Sequence, residues 1–499
     1  MEPGDSVTSG RGRRWAQGPR AEAPRPSRKP PLPLVEELTP APDAWEAFRR
    51  LAELPHVLFL DSALAHPTLG RYSFLTAAPA EFYGAHGLCH EDPFTLIAER
   101  LRHYPRAEPV AGLPPFQGGA AGLFGYGLCH HVERLPRPRY DEFGLPDLAV
   151  GIYDWVLAFD HAQGRAWLIS TGFPEIEPRR RRRRAERRLE EVQRRLGAAP
   201  EEEELGEVWP SRRRPVSLSC RHAVDRVSGL LSSFDRAGYL AAVRRSVEYV
   251  HAGDCFQVNL AQRLLYPWTA PTVELYRRLR ERNPAPFAGY FDLGRAVIVS
   301  ASPERFLRVT AGGEVETRPI KGTRPRGSTP TEDQARAEEL LTSAKDRAEN
   351  VMIVDLMRND LGRVCRYGSI RVPALCRLET YGFVHHLVSE VRGELRPGLG
   401  PLDLLRAAFP GGSVTGAPKV RAMEIIAELE PVARGPYCGS LGYVGFDGSM
   451  DTNILIRTFT AAGGWLQFPV GGGIVADSDP EREYEETWHK AEGLLRALE

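Results

Sequence analysis

The chain is poor in the features that mark several common protein classes. Its seven cysteines (Cys89, Cys129, Cys220, Cys255, Cys365, Cys376 and Cys438) are odd in number and scattered, with no C-x-x-C pair. That argues against a disulfide framework and a cysteine-based zinc site, and suits a reducing compartment. Neither sign of charge is in surplus: 65 Lys and Arg stand against 65 Asp and Glu. No global field therefore draws the chain to nucleic acid or to a membrane. No run approaches the ~20 apolar residues of a membrane span. The basic, proline-rich N-terminus lacks the apolar stretch of a signal peptide. No H-E-x-x-H spacing occurs, which removes zinc-protease chemistry. The expected setting is the cytoplasm, with no nucleic-acid or membrane partner.

What the sequence does have is length and pattern. Its 499 residues, 42% of them hydrophobic, can bury one or more substantial cores. Residues 1–33 read as a disordered basic tail with almost nothing to bury. Over 34–175, "HVLFLDS" (56–62), "LAVGIYDWVLAFD" (148–160) and "AWLIS" (166–170) read as strands. Composition shifts over 176–233, where "PRRRRRRAERRLEEVQRRL" is followed by "EEEE" and "SRRR". This is either a tail for RNA or a partner, or a solvated linker helix with Arg–Glu pairs at i,i+4. The second is favoured, because acids follow at once and no aromatics interleave to stack on bases.

The region 234–499 is denser in pattern. Tyr239, Leu240, Val243, Val247 and Val250 share one helical face that ends at Gly253. "CFQVNLAQRLLY" alternates as a strand, "AVIVSASPERFLRV" reads strand–turn–strand, and 331–358 has the composition of one long helix. A last helix over 479–498 carries Pro480 in its first turn. Strands and helices interleave without a clear period of parallel βαβ units, which points to α+β.

Several candidates for chemistry follow. Asp346 and Glu349 lie at i,i+3, as do Glu483 and Glu486. Each pair shares a helical face. If the two helices meet, four acids converge and a hard dication such as Mg²⁺ would compensate them; otherwise they are ordinary exposed acids. "FPGGSVTGAPK" (409–419) lacks the Lys-Ser/Thr of a P-loop and reads as an anion-facing loop before a helix near Pro418, with Thr415 adding a hydroxyl. Gly471–Gly473 demand close approach, either by a ligand carboxylate or by a neighbouring strand. "GGAAGLFGYG" (118–127) does not open a dinucleotide fold. Glu304 and His386 each read as structural when taken alone. Lys321, in "TRPIKGTRPRG", has Arg318, Arg324 and Arg326 nearby. An amine becomes a nucleophile only when cations or desolvation depress its pKa, and these arginines could equally face solvent.

Together these blocks resemble the chorismate-utilising enzymes, the large subunits of anthranilate synthase and aminodeoxychorismate synthase, with isochorismate and salicylate synthases as cousins. The carrying stretches are "AGDCFQVNLAQR", "SASPERFL", "TRPIKGTRPRG", "KDRAENVMIVDLMRNDLGRV", "HHLVSEVRGEL", "GGSVTGAPKVRAMEII", "GYVGFDGSMDTNILIRT" and "GGGIVADSDPEREYEETWHKA". They run through 234–499; residues 34–175 resemble the family's N-terminal part more loosely. The lysine at position 321 is typical of the aminodeoxychorismate branch, whereas anthranilate synthases typically carry alanine there. Gln257 stands where isochorismate and salicylate synthases carry a water-activating lysine.

The resemblance implies a large two-sheet antiparallel β-sandwich with outer helices. It implies Lys321 as nucleophile and Glu304 as general acid and base. Mg²⁺ would be held by Glu349 and Glu486, with Asp346 and Glu483 in support. Arg457, Tyr443 and Gly471, Gly472 and Gly473 would hold the enolpyruvyl carboxylate, with His386, Thr415, Gln257 and Thr323 near the substrate. Ammonia would come from a separate glutamine amidotransferase subunit. The implied product is 4-amino-4-deoxychorismate, on the way to 4-aminobenzoate and folate. An anthranilate synthase large subunit is the nearest alternative, and a non-catalytic ligand-binding homologue a more distant one.

Overall fold

The computed structural model describes residues 32–64, 69–87, 91–198, 216–381 and 384–499. Nearly all of the tail expected over 1–33, and the acidic run at 201–204, lie outside the described residues. Two antiparallel sheets dominate. The larger, of 13 strands, runs in the order Leu34–Leu38, Arg165–Ser170, Trp155–Asp160, Tyr72–Thr76, Leu58–Asp61, Phe287–Asp292, Val297–Ser302, Thr458–Ala462, Trp465–Ile474, Gln257–Pro267, Leu231–Ser232, His222–Ala223, with Gly416–Ala417 also on Gln257–Pro267. The smaller, of ten, runs Ile320–Pro325, Val384–Glu394, Glu314–Thr317, Arg305–Val309, Met450–Asn453, Ser440–Gly445, Gly119–Phe124, Leu148–Tyr153, Glu81–Ala85, with Arg371–Thr380 also on Val384–Glu394. Strands from 34–175 and from 234–499 share both sheets. The α+β sandwich expected from the sequence is the one observed.

Apolar side chains fill three levels. Leu58, Phe74 and Ile298 of the larger sheet meet Leu123, Tyr153 and Leu441 of the smaller. On the outer face of the larger sheet, Val258, Val299 and Phe468 pack with Tyr239, Leu279, Trp488 and Leu494. These four come from the helices Arg236–His251, Thr272–Arg282 and Pro480–Leu498. Behind the smaller sheet, Phe124, Phe306 and Val391 pack with Phe94, Ile353, Met357 and Leu405. Helices therefore cover both outer faces, which is how a two-sheet domain removes its apolar surface from water.

Two of the crossings between sheets are short and carry a buried acid. "LAVGIYDWVLAFD" is two strands cut at Asp154: Leu148–Tyr153 enters the smaller sheet and Trp155–Asp160 the larger. Asp154 is fully buried, and its carboxylate accepts from Arg184 at 3.0 Å and Arg188 at 3.3 Å. Both arginines come from the helix Pro178–Gly197 of the Arg-rich segment. That helix also buries Ala185 and Val192 and carries an i,i+4 pair, Arg182–Glu186, on its exposed side. A second crossing separates Val297–Ser302 in the larger sheet from Arg305–Val309 in the smaller. It places Glu304 between the sheets.

The single helix expected over 331–358 is instead two, Pro330–Thr342 and Ala344–Gly362. Ser343 leaves the helical conformation with ψ 107°, and its hydroxyl accepts the Asp346 N–H at 3.2 Å. Serine at an N-cap satisfies a donor that a continuing helix would have used internally. Composition alone carried no sign of this break.

Candidate active site

Ile320–Pro325 is an edge strand, and its pairing to Val384–Glu394 shifts register between Ile320 and Thr323. Such a bulge re-aims the side chains within it. Gly322 has φ +86°, and a Cβ there would lie 2.9 Å from Leu340 Cδ1 and 3.0 Å from Asp346 Cβ. Backbone thus runs hard against the start of helix Ala344–Gly362, and only glycine fits. Lys321, within the bulge, is half-buried.

The arginines near Lys321 in sequence are spent elsewhere. Arg318 pairs with Glu379, Arg324 with Glu339 and Asp346, and Arg326 with Asp333. Burial is the main force pushing the Lys321 amine below the ordinary lysine range. Glu349, Glu304 and Glu486 oppose that shift, and the Lys490 ammonium reinforces it. The cation that tunes Lys321 therefore comes from the C-terminal helix and not from its own strand.

Glu304 is buried at the sheet crossing. Ser413 Oγ donates to its carboxylate at 3.0 Å, and the Ile320 N–H donates as well. Burial pushes its pKa up to about 7, against the Ser413 hydrogen bond and the Lys321 charge. At neutral pH this carboxyl can both give and take a proton. The loop that supplies Ser413 is fixed at its far end by Lys419, which donates to Asp360 at 2.6 Å and to the Ala408 carbonyl at 2.7 Å. The following helix is Lys419–Leu429, with Pro418 as its N-cap, as the sequence suggested. Thr415 is buried and donates to the Gly411 carbonyl at 3.0 Å, which leaves its oxygen to accept.

The glycine run does two things. A Cβ on Gly471 would meet the Leu260 carbonyl oxygen at 2.3 Å, so that residue permits close strand packing. A Cβ on Gly472 would stand 3.2 Å from Glu483 Oε2 and 3.4 Å from Glu486 Oε1, and one on Gly473 2.9 Å from the Gln257 amide. Gln257 is fully buried, yet neither atom of its amide has a hydrogen-bond partner. A buried, unsatisfied amide is costly unless a guest completes it.

Charges on the two acidic helices act on one another and on Lys321. Lys345 of helix Ala344–Gly362 lowers the pKa of Glu486 and tempers that of Glu483, both on helix Pro480–Leu498. Lys321 feels Glu349 from one helix and Glu486 from the other. Each acid has a polar neighbour: Lys345 is 4.0 Å from Glu349, Ser478 donates to Glu483 at 2.6 Å, Lys490 to Glu486 at 2.7 Å, and Arg324 to Asp346 at 3.1 Å. Among the described residues no three His, Cys, Asp or Glu side chains are grouped as a metal centre. Carboxylate oxygens of Glu349, Glu483 and Glu486 are the hard donors Mg²⁺ takes. The missing side chain of Gly472 leaves space beside two of them. Asp346 is held by Arg324, as Glu486 is by Lys490.

A family model described as chorismate binding enzyme matches residues 71–496. The chain belongs to the chorismate-binding enzymes. It is 44% identical over 487 residues to anthranilate synthase component 1 of Thermus thermophilus, covering 95% of this chain and 98% of that protein. It is 41% identical over 480 residues to aminodeoxychorismate synthase component 1 of Escherichia coli, covering 94% and 99%. The crystal structure of anthranilate synthase component I from Streptococcus pneumoniae matches with a TM-score of 0.70 at 30% identity, over 86% of this chain and 93% of that one.

In this chorismate-binding enzyme Arg457 adopts φ +53° and donates to the Lys490 carbonyl. His386 Nδ1 lies 2.8 Å from Thr323 Oγ1, and burial with the Arg457 charge pushes the ring pKa down to about 4. The imidazole is therefore neutral near pH 7. Tyr443 is a correction. Its ring stacks on Phe116 at 4.4 Å and lines a separate cavity of about 330 Å³ with Phe74, Arg305 and Asp451. Side chains alternate along strand Ser440–Gly445, and position 443 faces that cavity. The tyrosine beside Arg457 is Tyr437, whose neighbour Cys438 donates its N–H to the Leu455 carbonyl at 2.8 Å. Lys490, Ser413 and Tyr437 were not found from sequence. Lys490 carried a signal, being four residues after Glu486 on a helix; Ser413 and Tyr437 carried none.

Proposed function

We propose that this chain is the chorismate-aminating subunit of an aminodeoxychorismate synthase. The observation that carries this reading is the placement of Lys321. Its amine is held below the usual lysine pKa range, and it sits one residue after the N–H that holds Glu304. A depressed amine beside a carboxyl poised near pH 7 is the pairing covalent amination needs.

Chorismate has a poor leaving group, the C4 hydroxyl. The Lys321 amine adds at ring C2, the ring double bonds shift, and the C4 oxygen departs as water with the Glu304 proton. Ammonia then adds at C4, the double bonds shift back, and the C2–nitrogen bond breaks to return Lys321. Glu304 takes up the proton that ammonia loses. Two displacements replace one difficult step. Arg457 and the Gly472–Gly473 backbone receive the enolpyruvyl carboxylate, and the Gln257 amide gains a partner. Neutral His386, fixed through Thr323, lies beside the ring with Thr415. Glu349 and Glu486, supported by Glu483, would hold Mg²⁺. When bound, the ion supplies a template and Lewis acid for the ring carboxylate. Ammonia comes from a separate glutamine amidotransferase subunit, as the name "component 1" of the relatives implies.

The second reading is anthranilate synthase component 1, favoured by the 44% identity to the Thermus thermophilus protein. Incubation with chorismate, an ammonium salt and Mg²⁺, followed by product identification, separates the two. Retention of the enolpyruvyl group in an aminated product supports the proposal. Anthranilate with free pyruvate overturns it in favour of the second reading, and absence of turnover overturns both. Intact-mass analysis of a quenched reaction is expected to show a covalent adduct that Lys321→Ala lacks.

A further inference from the structure

The buried pair Glu430 and Arg434 has no part in the chemistry above, yet it ties together three pieces of the site. Both residues are almost wholly buried. Arg434 Nε donates to Glu430 Oε2 at 2.8 Å and Nη2 to Oε1 at 2.5 Å, a two-pronged contact. The guanidinium has donors left over. Nη1 donates to the Val414 carbonyl at 3.0 Å and Nη2 to the Asn259 carbonyl at 2.8 Å. Glu430 in turn accepts the Ala261 N–H at 2.9 Å.

These anchor points are adjacent to the site on both sides. Val414 precedes Thr415, whose carbonyl accepts the Asn259 N–H at 2.8 Å. Asn259 is two residues along its strand from Gln257, so the two share a face. Neither Gln257 amide atom has a partner, nor has Asn259 Nδ2. The guanidinium carbon also lies 5.6 Å from the Tyr437 ring centroid, and Cys438, the residue after Tyr437, donates its N–H to the Leu455 carbonyl at 2.8 Å, two residues before Arg457. One cation thus fixes the Gln257 strand, the Thr415 loop and the tyrosine beside Arg457.

We propose that Arg434 is a positioning residue for chorismate: locked by Glu430, it sets the spacing between the Gln257–Asn259 strand, the loop that carries Thr415, and Tyr437, and so governs substrate affinity. The inference rests on the chorismate site described under the proposed function. A planar guanidinium reaches a carboxylate and two carbonyls at fixed angles, whereas a lysine ammonium cannot match that fork. A burial role alone would be met by any pair of apolar side chains of similar size.

The test uses chorismate binding by calorimetry and chorismate consumption with ammonium salt and Mg²⁺, on the full chain. Neither readout depends on which aminated product forms. Because Arg434→Met leaves the Glu430 carboxylate buried without a countercharge, the informative variant is the double Arg434→Met/Glu430→Met. It is expected to retain the wild-type circular dichroism spectrum, to melt lower because the Val414 and Asn259 carbonyls and the Ala261 N–H lose these partners, and to bind chorismate at least tenfold more weakly while folded. Arg434→Lys is expected to raise KM by a similar factor while kcat changes less. Wild-type affinity in a folded double variant overturns the proposal, as does an unchanged KM in Arg434→Lys. If the wild-type chain itself neither binds nor consumes chorismate, the functional reading fails, and this proposal with it.

Discussion

Lys490 donates to Glu486 at 2.7 Å, one helical turn away, and to the Gly471 carbonyl at 2.8 Å. The same charge faces Lys321 and depresses its pKa. Replacing it with an uncharged side chain removes that repulsion and frees Glu486 to attract Lys321. Both changes act in one direction, upward. In metal-free Lys490→Met, amine-reactive labelling of Lys321, followed by peptide mass spectrometry across pH, is expected to titrate at higher pH than in wild type. A titration at the same or lower pH would remove Lys490 from the account of how Lys321 is activated.

Glu304 costs stability at the sheet crossing, where burial raises its pKa. Its folded pKa is about 7 against 4.5 for a free glutamate side chain. Between these values the folded state holds a proton that the unfolded state has lost. Stability therefore falls as pH rises from about 4.5 to about 7, and the full penalty applies above that. The shift corresponds to about 3 kcal/mol. Glu304→Gln keeps the contacts to Ser413 and Ile320 and removes the ionisation. It is expected to be inactive yet more stable than wild type at pH 8, with the difference shrinking toward pH 5. Denaturant melts at both pH values check this, and equal stability at pH 8 would show that Glu304 is not held in an unfavourable charged state.

Local pattern gave the individual strands, the α+β class and the i,i+3 spacing of the two acid pairs; the two-sheet sandwich, and the parts given to Lys321 and the acids, came through the family resemblance. Three things were legible from neither. Asp154 and Glu304 each lie at a change of sheet, and nothing in a strand–turn–strand pattern says that the two strands enter different sheets. The ion partners of Arg318, Arg324 and Arg326 are set by tertiary packing, so sequence proximity to Lys321 suggested cations that the fold had already paired. Tyr443 and Tyr437 lie close together in the sequence, and only the geometry tells which of them adjoins Arg457.

Gly322 joins backbone conformation to function. With φ +86° and with Leu340 and Asp346 about 3 Å from where a Cβ would stand, alanine brings strain and a clash together. Destabilisation is expected to exceed the ~1 kcal/mol of a simple glycine-to-alanine mismatch. The bulge that aims Lys321 would relax with it. Gly322→Ala should lower both the melting temperature and kcat, whereas Gly368→Ala, also at positive φ but in open space, should affect stability alone. Full activity in Gly322→Ala would show that the bulge does not aim the amine.

Lys419 and Asp360 form a buried pair at 2.6 Å, joining the end of helix Ala344–Gly362 to the loop that carries Ser413 and Thr415. The Asp360 side chain is almost completely enclosed, so an unpaired carboxylate there has little access to water. Removing one partner of such a pair typically costs about 3–5 kcal/mol, while replacing both with apolar residues is often near neutral. Lys419→Met is therefore expected to be strongly destabilised, and Lys419→Met/Asp360→Leu to recover most of that loss. Because the loop is anchored through this pair and also through the Lys419 bond to the Ala408 carbonyl, the double variant should still hold Ser413 less firmly against Glu304. Its stability would then be close to wild type while turnover falls. A double-mutant cycle on melting and on kcat measures the two effects separately, and a double variant that restores both would make the pair purely a matter of folding.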